Sequence, residues 1–163
     1  FYAVTVMNHV LGAGGFSSRL MDSIRDKQGL AYGITSHYDA RAMPGSFWIS
    51  LQTRTETTNQ AISSVLAEMK AIREAPVTDQ ELAEAKSFLM GSFPLRLDST
   101  AKLAQVLGQV EFFGLGFDYF SQYPKWIDRV TKDDVQRVAK QYLNPQLYAL
   151  VVVGNITKAK VRH

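Results

Sequence analysis

The sequence predicts an α+β domain, in which an antiparallel sheet forms one layer and helices packed on one face of that sheet form the other. Two adjacent segments rich in β-forming residues, 31–40 and 46–54, precede a block of segments with helical periodicity. A nearly continuous apolar run, residues 147–154, then has the pattern of a strand that is covered on both faces. These three observations indicate the two-layer arrangement.

The two adjacent strand-like segments are expected to pair as an antiparallel hairpin. In the second of them, Phe47, Ile49 and Leu51 alternate with a more polar set and so form one apolar face. The connection between the two segments is Met-Pro-Gly at residues 43–45, a sequence typical of a turn.

The helices after the hairpin are predicted from apolar spacing and from candidate caps. Thr57 with Gln60, and Thr78 with Glu81, have the spacing of a capping box. Four helical patterns each follow a candidate N-cap: Thr57, Thr78, Asp98 and Thr131.

Two further helices are expected before the hairpin. Residues 2–11 have helical apolar spacing and should end at Gly12. A shorter helix should run from Ser17 to about Lys27, with one of its first two serines as the cap. Because the chain begins with Phe1, without Met and already within a helical pattern, we expect it to be a fragment of a longer protein.

Length and composition limit the function. The 163 residues are enough for one domain with a substantial core, so we interpret 1–163 as a single domain. The net charge is +3 without a stripe of Lys and Arg, so nucleic-acid binding is not expected. No apolar run approaches the roughly 20 residues that span a membrane. Cysteine is absent, which excludes disulfides, thiolate catalysis and zinc bound through sulfur.

The stretch LGAGGFSSRL, residues 11–20, raises the question of a phosphate-binding loop. A dinucleotide fingerprint needs a third glycine where Ser17 stands, and a P-loop needs a lysine where Phe16 stands. The segment before it is predicted to be helical and not a strand, so we set a nucleotide-binding protein aside. We expect Gly14 and Gly15 to turn the backbone sharply, with φ above zero.

The same stretch, followed onward, carries a longer pattern. Gly-Gly at 14–15 is followed by Ser-Arg-Leu at 18–20, Ile-Arg at 24–25 and Gly-Leu-Ala-Tyr at 29–32. This pattern resembles the peptidase M16 family, the insulinase, mitochondrial processing peptidase and pitrilysin-like zinc proteases. Further segments resemble the C-terminal half-domain of that family: 44–53, 77–91, 130–143 and 151–154.

The resemblance implies where zinc would lie. The family is built from duplicated half-domains that face each other across a chamber, and zinc is held in the N-terminal half by a His-x-x-Glu-His helix. This chain lacks that motif, and its histidines, His9, His37 and His163, have no partner at such spacing. We therefore expect no metal site and no cofactor in this domain, with zinc in a partner half. His37 should lie on a strand face.

The resemblance also implies a role for Arg25 and Tyr32. In the family, an Arg and a Tyr at this spacing lie across the chamber from the zinc and complete the active site. The Tyr hydroxyl would donate to the oxyanion of a tetrahedral intermediate, and the Arg would hold a substrate carbonyl or orient the Tyr. Spacing alone favours a plainer interpretation, a cation at a helix C-terminus and a half-buried strand aromatic.

Other residues are expected to be structural. Arg19 is interpreted as structural or as a surface charge, and Glu81 and Glu84 as part of a solvated helix face. Core packing, with substrate side-chain binding as the alternative, is expected of an aromatic cluster: Phe112, Phe113, Phe117, Tyr119, Phe120, Tyr123 and Trp126.

Two functional hypotheses follow. In the first, the domain supplies Arg25 and Tyr32 for peptide hydrolysis to a zinc-bearing half, in the same chain or in a partner subunit. In the second, it is an inactive scaffold or peptide-binding module of the same fold. The resemblance implies a peptide substrate as a partner and favours the bacterial periplasm as the compartment.

Overall fold

The computed structural model describes residues 1–161, which form one antiparallel hairpin and a set of helices. Strand β1 is Ala31–Asp39 and strand β2 is Ser46–Thr53. The helices are α1 Tyr2–Asn8, α2 Thr58–Glu74, α3 Asp79–Gly91, α4 Thr100–Phe112, α5 Tyr119–Asp128, α6 Lys132–Tyr142 and α7 Ile156–Ala159. The predicted α+β class and the predicted hairpin are confirmed.

The core lies between the hairpin and the helices. Helix α1 contacts β1 and α6, and it buries Val6 and Met7 completely. On β1, Ile34 faces this core and is 2% exposed. On β2, the three apolar side chains of the predicted face are partly buried against the core, while the residues between them are exposed. The alternation in the sequence therefore identified the inner face of β2.

The sequence predicts that helix α1 ends at Gly12, and this prediction is wrong. The helix continues as a wider π-helical turn, His9–Ala13, and is followed by a 3₁₀ turn, Gly15–Ser17. A second π-helical segment, Met21–Lys27, replaces the regular helix expected there, and no side-chain cap precedes it. Such turns are rare and frequently lie at functional sites.

Two helices begin with a complete capping box. Thr78 accepts from the backbone N–H of Glu81, whose carboxylate accepts from the N–H of Thr78. Thr131 and Asp134 form the same arrangement at the start of α6. The Thr78 prediction is confirmed, and so is the position of Thr131 as an N-cap, because these caps need only local backbone geometry.

Two other cap predictions are wrong. Thr57 precedes α2 but caps nothing, because its hydroxyl donates to the carbonyl of Arg54, 3.1 Å away, instead of accepting from the helix. The N-cap of α4 is Ser99 rather than Asp98. The Asp98 carboxylate instead accepts from Lys102 Nζ at 2.9 Å, which a cation one turn along the helix makes possible.

The predicted closing strand at residues 147–154 is not formed. Most of its side chains are exposed, with 84% of Val151 and 95% of Val153 accessible to solvent. An open cleft of about 560 Å³ separates it from β2. A strand exists only through hydrogen bonds to a neighbour, and within residues 1–161 β2 pairs only with β1. The other edge of β2 faces this apolar run across the cleft, but no strand hydrogen bonds join the two within the described residues.

A bidentate ion pair joins the loop after the glycines to helix α3. Arg19 Nε lies 2.6 Å from Glu81 Oε1, and its Nη2 lies 2.9 Å from Oε2. Both side chains are mostly buried, so the expectation that Glu81 lies on a solvated face is wrong. The hydrogen bonds from Arg19 lower the pKa of Glu81 from 4.5 to about 2, against the effect of burial.

The turn His9–Ala13 lies directly on β1. A Cβ atom on Gly12 would be 2.6 Å from Ser36 Oγ, 2.7 Å from the Ser36 backbone nitrogen and 2.8 Å from Leu20 Cδ1. Nothing larger than a hydrogen fits between the turn and the strand. Gly12 is therefore required for packing and not for ending a helix.

We expect Gly12→Ala to destabilise the protein by about 1–3 kcal/mol, because the added methyl group meets backbone atoms that have no room to yield. Gly108→Ala is the matched control, since a Cβ there meets no atom within 4 Å inside helix α4. That change should stabilise by about 0.5–1 kcal/mol. Urea unfolding of both variants measures the difference, and equal effects would contradict the packing argument.

The Arg19–Glu81 pair should make stability depend on pH. Because the folded-state pKa of Glu81 is depressed, its contribution is complete above pH 4.5 and is lost as pH falls toward about 2. Glu81→Gln keeps an acceptor for the cap and removes the charge. Wild type should therefore lose more stability than this variant on acidification, by a difference on the order of 2 kcal/mol, reduced from the full shift because the carboxylate is partly exposed.

Urea unfolding at pH 7 and pH 3 measures that difference. Glu84→Gln provides the control, because Glu84 lies on the same helix and accepts a hydrogen bond from the exposed Gln80 instead of pairing with a buried arginine. It should leave the acid dependence of wild type unchanged. An identical acid loss in the Glu81 and Glu84 variants would refute a stabilising role for the pair.

Candidate functional site

The glycine stretch forms a tight loop that presents Phe16 to solvent. Gly15 has a φ of +61°, so this part of the expectation for the glycines is confirmed, whereas Gly14 has a φ of −77°. The Ser17 and Ser18 hydroxyls donate back to the carbonyls of Gly14 and Gly15, at 3.0 and 2.7 Å. They brace the loop and do not cap the next helix. Phe16 is 71% exposed as a result.

The loop also packs closely against His9 at its base. A Cβ on Gly14 would lie 2.7 Å from the His9 carbonyl oxygen, so only glycine fits this approach. The His9 ring is buried and stacks on Phe88 with a centroid distance of 4.7 Å, and burial lowers its pKa. The base of the loop is therefore part of the packed interior.

Arg25 lies in the segment Met21–Lys27, held in place by Ile24, which is completely buried. Its guanidinium carbon lies 4.9 Å from the centroid of the Phe16 ring. Its Nη1 donates to Asp26 Oδ1 at 2.9 Å. The Arg25 side chain is about one-third exposed, so the charged group is accessible at the surface.

A short turn connects Arg25 to β1. The backbone N–H of Gly29 donates to the Arg25 carbonyl at 2.9 Å, and that of Leu30 donates to the Ile24 carbonyl at the same distance. Gly29 has a φ of +63°, a value that favours glycine. Leu30 is buried immediately after the turn. The path from Arg25 to the strand is thus fixed by backbone hydrogen bonds and by one buried anchor.

Tyr32 lies at a bulge in β1. Ala31 pairs with Thr53 and Ile34 pairs with Leu51, so three steps on β1 oppose two on β2. The extra residue changes the alternation, and Tyr32 points to solvent with 85% of its surface exposed. Bulges commonly redirect one side chain in this way.

Tyr32 lines a shallow cleft of about 410 Å³ along the end of the hairpin. The other lining residues come from 29–31 and from 52–54, and Arg25 is not among them. Within the described residues, Arg25 and Tyr32 therefore do not line the same cleft. Arg25 turns toward the Phe16 loop and Tyr32 toward the hairpin end, on either side of the turn at Gly29.

The histidines take structural places. His37 lies on the exposed face of β1, as expected, and stacks on Trp48 with a centroid distance of 5.0 Å. His163 lies outside the described residues. Among residues 1–161, no group of three His, Asp or Glu side chains is arranged to hold a metal ion. The residues that the structure describes do not fit a zinc site, so no chemical step through zinc is assigned to them.

The aromatic cluster is divided between core and surface. Tyr119 and Tyr123 are buried, and Tyr123 stacks on Phe93 with a centroid distance of 4.2 Å, in agreement with core packing. Phe112 and Phe117 are instead 73% and 85% exposed. The sequence distinguished the two groups poorly because the helical periodicity is interrupted between α4 and α5.

Two contacts of the site were not predicted from the sequence. The Arg19–Glu81 pair joins residues 62 positions apart, and no local pattern marks such a pair. The Phe16–Arg25 contact joins a loop to the segment after it, and no spacing rule in the sequence predicts that contact. No helix in the described part of the chain is both long and apolar enough to cross a bilayer.

Known proteins share this sequence pattern. A family model described as the peptidase M16 inactive domain matches residues 1–89. The chain is 32% identical over 157 residues to a Helicobacter pylori protein named non-peptidase homolog YmxG, covering 95% of this chain and 36% of that protein. It is 33% identical over 154 residues to a Streptomyces coelicolor protein named an uncharacterized zinc protease, covering 94% of this chain and 33% of that protein.

The fold of this chain is also similar to a solved structure of the same family. The chain is similar to the crystal structure of a peptidase M16 inactive domain from Pseudomonas fluorescens, with a TM-score of 0.80 and 32% identity. The alignment covers 88% of this chain and 34% of that one. The chain thus spans about a third of the length of the relatives it matches. Sequence, fold and the motif from the glycines to Tyr32 agree that this chain belongs to the peptidase M16 family and carries its inactive domain.

Proposed function

We propose that this domain is the non-zinc half of an M16-type metalloprotease, in which Arg25 and Tyr32 bind the peptide and stabilise the oxyanion. Zinc is held by a His-x-x-Glu-His half, either elsewhere in the same protein or in a partner subunit of a heterodimer. The bacterial periplasm is the compartment that fits the resemblance.

The exposure of Tyr32 is the observation that carries the proposal. A tyrosine near the start of a strand usually packs into the core, and its hydroxyl usually makes a hydrogen bond when it is buried. Tyr32 is 85% exposed and, within residues 1–161, makes no hydrogen bond and no ring contact. The bulge fixes the backbone at this position while the hydroxyl is left free for a group outside this domain.

The chemistry of the two side chains suits this role. A neutral phenol O–H can donate to an oxygen that gains negative charge during attack on a peptide carbonyl, and it adds no charge to the site. The Arg25 guanidinium carries several N–H donors in a planar fork, which suits a carbonyl of an extended peptide. Zinc, when bound by the partner half, supplies the activated water. This domain supplies binding and orientation.

A second candidate function is a scaffold or peptide-binding module without catalysis. One specific observation favours it, since the similar protein of Helicobacter pylori is named a non-peptidase homolog. In that case Arg25 and Tyr32 would still bind a peptide, or would serve only the surface. Activity of variants in the intact protein separates the two functions.

Tyr32→Phe should lower kcat for peptide hydrolysis by about a hundredfold or more, because it removes a single donor to the oxyanion. The change should leave thermal unfolding and zinc content unchanged, since the side chain is 85% exposed and loses only its hydroxyl. Tyr142→Phe is the control, a tyrosine on α6 that is 56% exposed. The assay uses the intact protein together with its zinc-bearing half. Equal kcat in both variants would show that Tyr32 takes no part in catalysis, and no hydrolysis by the wild-type assembly would favour the scaffold function.

Arg25→Ala should raise KM for peptide about tenfold or more, as expected for the loss of charged hydrogen bonds to a carbonyl. Arg41→Ala is the matched control, because Arg41 is also an exposed arginine paired with a nearby acidic residue, Asp39. The control should have the KM of wild type. A comparable rise in both variants would indicate a general charge effect instead of a specific site.

A further inference from the structure

The contact between Phe16 and Arg25 has no evident structural purpose. Phe16 is 71% exposed, so its ring contributes little to the core. The loop that carries it is nevertheless strongly fixed, by a glycine with positive φ at position 15, by two serine hydroxyls and by the close approach of Gly14 to His9. A rigid loop that ends in an exposed aromatic ring suggests a use for the ring itself.

The ring covers one side of the Arg25 guanidinium. The guanidinium carbon lies 4.9 Å from the ring centroid, within the range in which a cation is attracted to the ring face. A second contact, from Nη1 to Asp26, fixes one edge of the group. Within residues 1–161 this is the hydrogen bond that the guanidinium makes, so its remaining donors are available to a ligand.

Two fixed contacts reduce the freedom of a long side chain. An unrestrained arginine loses much rotamer entropy when it binds, whereas a group already held by a ring and a carboxylate loses less. Arg25 is the residue to which we assign the peptide carbonyl, so its orientation before binding affects the affinity for peptide.

We propose that Phe16 is a positioning residue, which holds the guanidinium of Arg25 in the orientation that binds the peptide. This inference rests on the proposed function, since it assumes that Arg25 contacts the peptide. It assigns to the glycine stretch the task of presenting a ring to Arg25. The alternative, that Phe16 contacts the peptide itself, is an outcome that the test distinguishes.

The test uses the intact protein assembled with its zinc-bearing half and a fluorogenic peptide. Phe16→Leu keeps an apolar side chain and removes the ring, and it should raise KM about two- to fivefold while kcat stays within twofold. Phe16→Tyr keeps a ring face and should restore the wild-type KM. Met43→Leu is the control, because Met43 is a 76% exposed apolar residue in the connection between β1 and β2, and it should change neither constant.

A double-mutant cycle with Arg25→Ala decides whether Phe16 acts through Arg25. If it does, Phe16→Leu has no further effect when Arg25 is absent. An equal rise in KM in both backgrounds would mean that the ring contacts the peptide directly, and it would overturn the proposal. Failure of Phe16→Leu to change KM, while Arg25→Ala does, would overturn the positioning role alone.

The proposed function fails in a different way. If Arg25→Ala leaves KM unchanged, Arg25 does not bind peptide, and both proposals are refuted. If the wild-type assembly does not hydrolyse peptide, the same cycle is measured as Kd for a fluorescently labelled peptide. Catalysis is then excluded, while the coupling between Phe16 and Arg25 in peptide binding is still confirmed or refuted.

Discussion

The close approach of the turn His9–Ala13 to strand β1 is the constraint on which the site depends. Gly12 leaves room only for a hydrogen beside Ser36, and the Ser36 hydroxyl donates to Asn8 Oδ1 at 2.7 Å. Ser36 is 1% exposed, so this contact lies in the interior. It fixes where α1 ends relative to the hairpin, and the loop that carries Phe16 begins at that point. A larger residue at this position would separate the loop from the strand.

The site then follows from three short backbone devices in sequence. A braced glycine loop presents Phe16, a π-helical segment carries Arg25, and a bulge turns Tyr32 outward. Each places a large side chain at the surface, so these side chains contribute little to the stability of the fold. Stability comes from elsewhere, chiefly from the buried faces of the helices and from the Arg19–Glu81 pair that joins the loop to α3. This division between a rigid base and exposed tips is typical of sites preorganised for a partner.

Membership in the M16 family connects this site to peptide chemistry without deciding that catalysis occurs. One similar protein is named a zinc protease and another a non-peptidase homolog, at nearly the same identity to this chain. The same fold therefore carries both descriptions, as expected when function lies in a few side chains and not in the architecture.

Local sequence patterns were enough to predict the fold class, the hairpin, the inner face of β2 and the Thr78–Glu81 cap, because periodicity and capping depend on residues close together in the chain. Its motif also determined the family and marked Arg25 and Tyr32. Other features depend on contacts between residues that are far apart in the chain. The partner of Arg19 lies 62 positions away, and the bulge at Tyr32 depends on the register of β2. Residues 147–154 have the composition of a strand, but within the described residues they do not pair with the free edge of β2. Local periodicity can be recognised within one segment of sequence, whereas the partner of a long-range contact cannot be predicted from that segment alone.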